Sequence, residues 1–356
     1  MRITKLDGLR GIFSLMIVFF HYREIFLPPY LHQFFFIREA YTFVDFFFVL
    51  SGYVIAYNYH SLNTFDEFKI YLKKRFIRLF PLLLFTATAA LIFDIIGNYF
   101  FPLMVDNVDS LPVLLLRYLD TLLFTNSCPI LGSTSGMNGV SWSISSEMIS
   151  YIVFGLTSIL ATKNFNRGFL LGIIILLSIF FAIYNGSYIN TGDYGFIRGL
   201  ISFNLGYFVW KISKLNFKIS NIFEYLIPIF LLLIFYILNK KLFGFQKEMF
   251  TLAIVPVFFA TSILILLKTD GYLSKVLSSK SLVFLGDISY SVYLNHFLLV
   301  LIIPRLFFGM FKVPENEFTQ LGLFILIIIL VIAISNLTYS YIEKRGSKYL
   351  RKIILK

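Results

Sequence analysis

Runs of apolar residues long enough to cross a bilayer recur near 9–27, 41–59, 80–100, 140–161, 168–186, 195–211, 223–239, 249–267, 288–306 and 318–342. A helix needs about 20 such residues to traverse the ~30 Å hydrocarbon core, so ten membrane helices are expected. One further apolar stretch, 111–124, is short and interrupted by Arg117 and Asp120. It reads as a re-entrant or interfacial segment whose i,i+3 charges could pair with each other. Val108 and Asn138, on either side of it, then face the same outer compartment.

The polar stretches between the runs test this parity. With the N-terminus inside, the cytoplasmic loops hold Lys69, Lys73, Lys74, Arg75 and Arg78, then Lys163 and Arg167. Next come Lys211, Lys214 and Lys218, and then Lys268, Lys275 and Lys280; the tail adds Lys344, Arg345, Lys348, Arg351, Lys352 and Lys356. The outer region 101–140 has only Arg117, and 187–194 has no Lys or Arg. Counting 111–124 as a full span would invert every later loop and put the basic tail outside, against the positive-inside rule. Lys240, Lys241 and Lys247 fall outside in this scheme, yet no other parity does better.

Composition narrows the class. The chain is 58% hydrophobic and 14% charged, with 44 Phe, too apolar for a soluble domain. Nearly the whole length is used in membrane segments, and no repeat or linker divides it. The expectation is an all-α polytopic membrane protein with residues 1–356 as a single transmembrane domain. Arg2 and Lys5 precede the first apolar run as in a signal peptide, but no small-residue cleavage site follows, so a retained first helix is expected. Cys128 is the single cysteine, which excludes an internal disulfide. His32 and His60 fall in loops, and no two histidines have ligand-like spacing, so no metal site is expected. The excess of 31 Lys+Arg over 19 Asp+Glu requires no nucleic-acid partner, because cytoplasmic loops of membrane proteins are basic anyway.

Candidate chemistry lies in polar groups that a bilayer tolerates poorly. Arg10 and His21 are eleven residues apart with no charge between them. At 100° per residue both heads share one helix face, roughly 16 Å apart along the axis. That places a cation at the helix mouth and an imidazole near mid-bilayer, where such groups either face a cavity or partner, or simply snorkel and hydrogen-bond. Arg75 and Arg78 are i,i+3 neighbours able to converge on one anion, either a donor's phosphate or a lipid headgroup. Pro81 suits the first turn of the third helix. Asp45, among aromatics, needs a partner or a proton, and Ser51-Gly52 allows close helix packing. Ser143 and Glu147 share a face of the fourth helix. Glu147 could act as a proton-linked acid, a hydrogen-bond acceptor for substrate, or a counter-ion for an arginine such as Arg198. Ser289, Tyr293 and His296 form a polar stripe that could bind substrate or hold helices together.

Taken together these motifs resemble acyltransferase family 3, a family of multi-pass membrane enzymes. The matches are Leu-Asp-Gly-Leu-Arg-Gly with Arg10-x10-His21, Asp45 with Phe-Phe-Val-Leu-Ser-Gly, and Arg75-x2-Arg78-x2-Pro81. Trp142-Ser-x3-Glu147 and Ser289-Tyr-Ser-x-Tyr293-Leu-x-His296 follow in family order. The tail Tyr341-Ile-Glu343-Lys344-Arg345 is similar to the family's ending, with Arg345 where a proline is usual. Many relatives carry an additional SGNH-hydrolase-like domain, which is not expected here.

The resemblance implies a bacterial inner-membrane O-acyltransferase with both termini cytoplasmic. It would move an acyl group, usually acetyl, from cytoplasmic acyl-CoA to a hydroxyl of a carbohydrate or lipid-linked glycan. Acyl-CoA is then a donor substrate, and no permanently bound cofactor is expected; membrane lipid surrounds the chain. A thioester is already activated, so such an enzyme needs a base, a cationic seat for the donor and an oxyanion stabiliser. His21 is the candidate base or transient acyl carrier, with Arg10 and Glu147 as further catalytic candidates. Arg75 and Arg78 would grip the phosphates of CoA, and Asp45, Tyr293 and His296 would bind the acceptor. Two other classes use the same residue types: a proton-coupled transporter or flippase of a lipid-linked sugar, and a receptor or structural protein. A transporter would have no need of the cytoplasmic arginine pair.

Overall fold

The computed structural model describes residues 2–355 except 61, 103–104, 106–107, 132–135, 162–165, 187 and 241–246. Lys163 and Lys241, used above to assign sidedness, lie outside the described residues, as does the side chain of His32. All ten apolar runs are helices. They are α1 (Thr4–His21), α2 (Phe43–Asn58), α3 (Phe65–Phe100), α5 (Trp142–Leu160), α6 (Arg167–Tyr184) and α7 (Gly195–Ser213). After them come α8 (Leu226–Lys240), α9 (Lys247–Lys268), α11 (Ser289–Pro304) and α12 (Glu317–Thr338). Among the shorter helices are α4 (Leu111–Leu122), α10 (Lys280–Asp287) and α13 (Arg345–Ile354), alongside helical turns such as Pro29–His32, Phe35–Arg38 and Tyr272–Leu277. Among the described residues eight helical segments are long and apolar enough to cross a membrane. The other two long helices, α1 and α7, have 18 and 19 residues but carry more polar side chains. The chain is a polytopic helical membrane protein.

The third apolar run begins earlier than its hydropathy suggests. α3 has 36 residues, about 54 Å at 1.5 Å per residue, and so overshoots the hydrocarbon core. Its start at Phe65 is fixed by a capping box: Thr64 Oγ1 accepts from the Glu67 amide at 3.2 Å, and Glu67 Oε2 accepts from the Thr64 amide at 3.2 Å. Pro81 is therefore inside the helix, not in its first turn. An interior proline leaves the carbonyl four residues earlier without its amide donor. That carbonyl is Ile77 O, and Ser347 Oγ of α13 donates to it at 2.9 Å while Gly346 packs on the Pro81 ring. A side chain 266 residues downstream supplies the missing bond, so the helix continues.

α4 has 12 residues, roughly 18 Å, too short to span, which agrees with a re-entrant or interfacial segment. Its charges do not pair with each other. Arg117 reaches Asp109 at 2.7 Å and Gly136 O at 3.1 Å, while Asp120 is buried and accepts from Thr125 Oγ1 at 2.5 Å. Asn138 is no exposed loop residue either: it is buried and donates to Leu294 O at 3.0 Å.

α2 and α7 pack backbone to backbone. A Cβ on Gly52 would collide with the main chain of Phe203, and one on Gly206 with Val49 O. Without a hydrophobic drive between helices in lipid, such close approach supplies the packing energy. The same device seats α1 on α10, where Gly286 lies against the backbone of Asp7. α1 runs through the interior, with Ile17 and Val18 fully buried. α6 instead presents Leu176, Leu177 and Phe180 outward, as a lipid-facing helix should.

Candidate active site

α1, α2, α3, α5 and α11 enclose a cavity of about 390 Å³. Its lining on α2 runs from Asn58 to Val44, about 21 Å along the helix, so the space is long and narrow. Arg2 comes from just before α1, Asp7 and Arg10 from its start, and Arg75 and Arg78 from the part of α3 that overshoots the core. α5 adds Ser143, Glu147 and Tyr151, and α11 adds Ser289, Tyr290 and Tyr293. Four guanidinium groups against two carboxylates give the lining a positive balance. Arg2 lies at the entrance, held by Asp7 at 2.8 Å and Asp287 at 2.5 Å; those hydrogen bonds, Asp287's first, push its pKa further up.

The two α3 arginines are held differently. Arg78 pairs with Glu343, whose second oxygen accepts from Ser291 Oγ at 2.8 Å. Arg75 donates to Tyr59 OH at 3.1 Å and lies over the Tyr59 and Tyr151 rings, while its Nε has no partner among the described residues. Its fork is thus only partly used. Arg10 sits 3.5 Å from Asp7, a long contact that leaves it available to a ligand. Glu147 accepts from Ser51 Oγ and Tyr151 OH, each at 2.5 Å. It is a hydroxyl-bound carboxylate on the cavity wall.

Arg198 pairs with Asp45 and not with Glu147. Arg198 Nη2 lies 2.6 Å from Asp45 Oδ2, and Nε lies 3.2 and 3.1 Å from the two carboxylate oxygens. Tyr188 OH and Ser202 Oγ also donate to Asp45, at 2.7 and 2.8 Å. Both partners are buried and neither lines the cavity, so the geometry leaves Asp45 no face toward an acceptor. Its need for a partner is met inside the protein.

His21 ends α1 and so does not occupy mid-span; the chain beyond turns through a short 3₁₀ segment, Glu24–Phe26, toward Pro28 and Pro29. His21 Nδ1 lies 3.0 Å from Ile17 O and 3.2 Å from His296 Nε2. His296 is fully buried, with Nδ1 3.1 Å from Val292 O. A carbonyl only accepts, so His296 carries its proton on Nδ1 and presents a lone pair at Nε2. His21 Nδ1 must then be the donor, shared between Ile17 O and His296. The remaining nitrogen, His21 Nε2, holds a lone pair. Tyr293 connects this pair to the cavity: it lines the cavity, its ring centroid is 5.9 Å from that of His296, and its hydroxyl is 2.7 Å from Ser143 Oγ.

The structure therefore brings Arg10, Arg75, Arg78, Glu147 and Tyr293 to one cavity. His21 and His296 stand together just beyond its Tyr293 end, and Asp45 stands apart. Sequence reasoning did not find Ser51, Tyr151 or Glu343 as site residues. Tyr151 carried a signal, being i+4 from Glu147. Glu343 carried little, being one acid among tail bases. Among the described residues no three His, Cys, Asp or Glu side chains gather as a metal cluster would require.

A long cavity with cationic walls and a histidine lone pair near its end is the equipment of a membrane group-transfer enzyme. The acyltransferase-domain family matches residues 3–340, nearly the whole chain, and the chain belongs to it: this is a member of acyltransferase family 3. It is also similar to a protein of Acidianus two-tailed virus named "Putative acetyltransferase ORF330", 28% identical over 304 residues, 83% of this chain and 82% of the relative. No solved structure matches the chain.

Proposed function

We propose that this acyltransferase takes an acyl group, acetyl in the first instance, from cytoplasmic acyl-CoA and gives it to a hydroxyl of a cell-surface glycan or lipid-linked sugar. The observation that carries this reading is the joining of two chemistries. Arginines line one part of a 390 Å³ cavity, and Tyr293 at the other part packs against the His21–His296 pair. Arg75 and Arg78 hold donor phosphate, and Arg10 orients the pantetheine arm.

The chemistry follows from the lone pair on His21 Nε2. The acceptor oxygen attacks the thioester carbonyl while its proton passes to His21. The C–S bond then breaks, and the leaving thiolate takes that proton back from the imidazolium. Arg10 is roughly 16 Å from His21 along α1, so the two cannot act on one carbonyl. The hydroxyls of Tyr293 and Ser143 are the nearer donors for the oxyanion. His296 is a positioning residue: its Nε2 fixes the tautomer of His21. Glu147 and its two hydroxyl partners line the donor's path.

The bacterial inner membrane with cytoplasmic termini is the orientation we infer. Its support is the basic character of one end: the start of α1, the start of α3, the Lys211–Lys214 turn and the tail.

Acetyl transfer from labelled acetyl-CoA by the purified full chain in proteoliposomes, with glycan acceptors, tests the reading. His21→Ala should lower kcat about 10²–10⁴-fold while the protein stays folded. His296→Ala should lower kcat with donor KM unchanged and shift the acid limb of the pH–rate profile. His296→Gln, which restores an acceptor atom, should recover part of the loss. Near-normal turnover in His21→Ala would sink the mechanism.

A further inference from the structure

A second cavity, of about 620 Å³, adjoins the first and has no role in the chemistry above. Arg2, Ile3, Tyr53 and Tyr57 line both, so the two spaces share a wall at the entrance. The second is bounded by the end of α7 (Trp210, Ser213 and the following Lys214) and by 267–278, the end of α9 and the segment after it. Its lining holds five cations, Arg2, Lys5, Lys214, Lys268 and Lys275, against the single carboxylate of Asp270. Lys5 takes Asp270, at 2.8 Å, and Arg2 is taken by Asp7 and Asp287. Lys214, Lys268 and Lys275 have no carboxylate partner among the described residues. Lys268 donates to Leu215 O at 2.8 Å, and the Lys214 ammonium lies 4.0 Å from the centre of the Trp210 ring.

Amines facing an aromatic wall suit a particular ligand chemistry. A nucleoside phosphate needs a flat apolar surface for its base and point cations for its phosphates, and lysine is the point cation. The first cavity alone is near the lower end of the size range of small-ligand sites. A donor built of acyl group, pantetheine, diphosphate and 3′-phosphoadenosine needs more room than that. The second cavity supplies it on the same side as Arg75 and Arg78.

We propose that the second cavity is a nucleotide vestibule. It holds the 3′-phosphoadenosine end of acyl-CoA, with the base against Tyr57 and Trp210 and the 3′-phosphate on Lys214, Lys268 and Lys275. The diphosphate lies at the shared entrance within reach of Arg75 and Arg78, and the pantetheine arm runs past Tyr53 toward Tyr293. This assignment rests on acyl-CoA being the donor. It divides the phosphates between two sets of residues, arginines for the diphosphate and lysines for the 3′-phosphate.

The test compares acetyl-CoA with acetyl-3′-dephospho-CoA, using the full chain in phosphatidylcholine vesicles. Wild type should show a KM about tenfold higher for the dephospho donor, the scale of one charge-assisted hydrogen bond. The Lys214→Gln/Lys275→Gln variant should raise the acetyl-CoA KM about tenfold and leave the dephospho KM where it was, so the two donors converge. Lys73→Gln/Lys74→Gln, basic but outside both cavities, controls for general surface charge and should preserve the preference.

A wild type indifferent to the 3′-phosphate, or a lysine variant that retains the full preference, would overturn the vestibule while leaving acyl-CoA as donor. A lysine effect that appears only with anionic lipid and is equal for both donors would reassign these residues to headgroup binding. If wild type used neither thioester, the donor reading would fall and the vestibule with it. Should the double variant misfold, the single Lys275→Gln substitution, at an exposed position, gives the same comparison at smaller amplitude.

Discussion

Removing the Asp45 carboxylate should destabilise the protein strongly without acting on substrate affinity. Asp45 and Arg198 are 0% and 1% exposed, so no water can replace either partner. In Asp45→Ala, Arg198 loses its three hydrogen bonds to the carboxylate and keeps the one to Tyr41 O at 2.9 Å. Tyr188 and Ser202 lose their acceptor as well. Breaking a buried pair by deleting one partner costs about 3–5 kcal/mol, mostly the burden of an uncompensated buried charge. For a chain of 356 residues that corresponds to a fall in Tm of roughly 4–7 °C. The double variant Asp45→Leu/Arg198→Met removes both charges and should regain most of the loss, because no orphan ion remains. Trp142 offers a local readout, since the Arg198 guanidinium lies 5.7 Å from the centre of its ring. Fluorescence-detected thermal unfolding in detergent micelles gives the stability, and donor and acceptor KM are measured on the folded fraction. An Asp45→Ala protein with wild-type Tm and a raised acceptor KM would refute this reasoning and make Asp45 a substrate ligand.

Three further outcomes are expected. Arg75→Ala or Arg78→Ala should raise the KM for acetyl-CoA about 10- to 100-fold with a smaller change in kcat, and lysine should rescue only in part. Glu343→Ala should act in the same direction, because it frees Arg78 from the geometry that Glu343 and Ser291 impose. Unchanged donor KM in the double arginine variant would return the pair to lipid anchoring. For topology, Cys128→Ser provides the background for single cysteines at Val108, Ile130 and Lys348, all exposed. An impermeant thiol reagent added to intact cells should label the first two, which flank the non-spanning α4, and spare Lys348. Labelling of Lys348, or opposite behaviour of Val108 and Ile130, would overturn the orientation.

The helices were legible because lipid demands an apolar run of fixed length, a property local to each segment. Arg10, Glu147 and Tyr293 were legible for a related reason, since a charge or polar stripe inside such a run needs an interior destination, while Arg75 and Arg78 were legible from their i,i+3 spacing. What each group meets there was not legible. Arg198 lies 153 residues from Asp45, and Glu343 lies 265 from Arg78. No local spacing encodes those partnerships. The misplacement of Pro81 has the same origin. By local rules a proline belongs in a first turn, and only the folded arrangement brings Ser347 to the carbonyl that Pro81 leaves free. The histidine pair is the clearest case. His21 and His296 were each visible as polar residues on apolar helices, but which of them holds the usable lone pair depends on a 3.2 Å contact between helices far apart in sequence.

The geometry of α1 also bears on how the proposed transfer would divide its tasks. One helix carries Arg10 on its cavity side and ends in His21, so the two side chains stay in fixed relation, about 16 Å apart along the axis. Phe47 and Tyr293 both line the cavity, with ring centroids 6.4 Å apart, and Tyr293 is the one whose ring also meets His296. In the proposed mechanism, proton removal and donor binding therefore fall to separate residues at separate places. Substitutions near Arg10 and α3 should then appear in donor KM, and those at the histidine pair in kcat. A single compact site serving both tasks would mix the two effects in every variant.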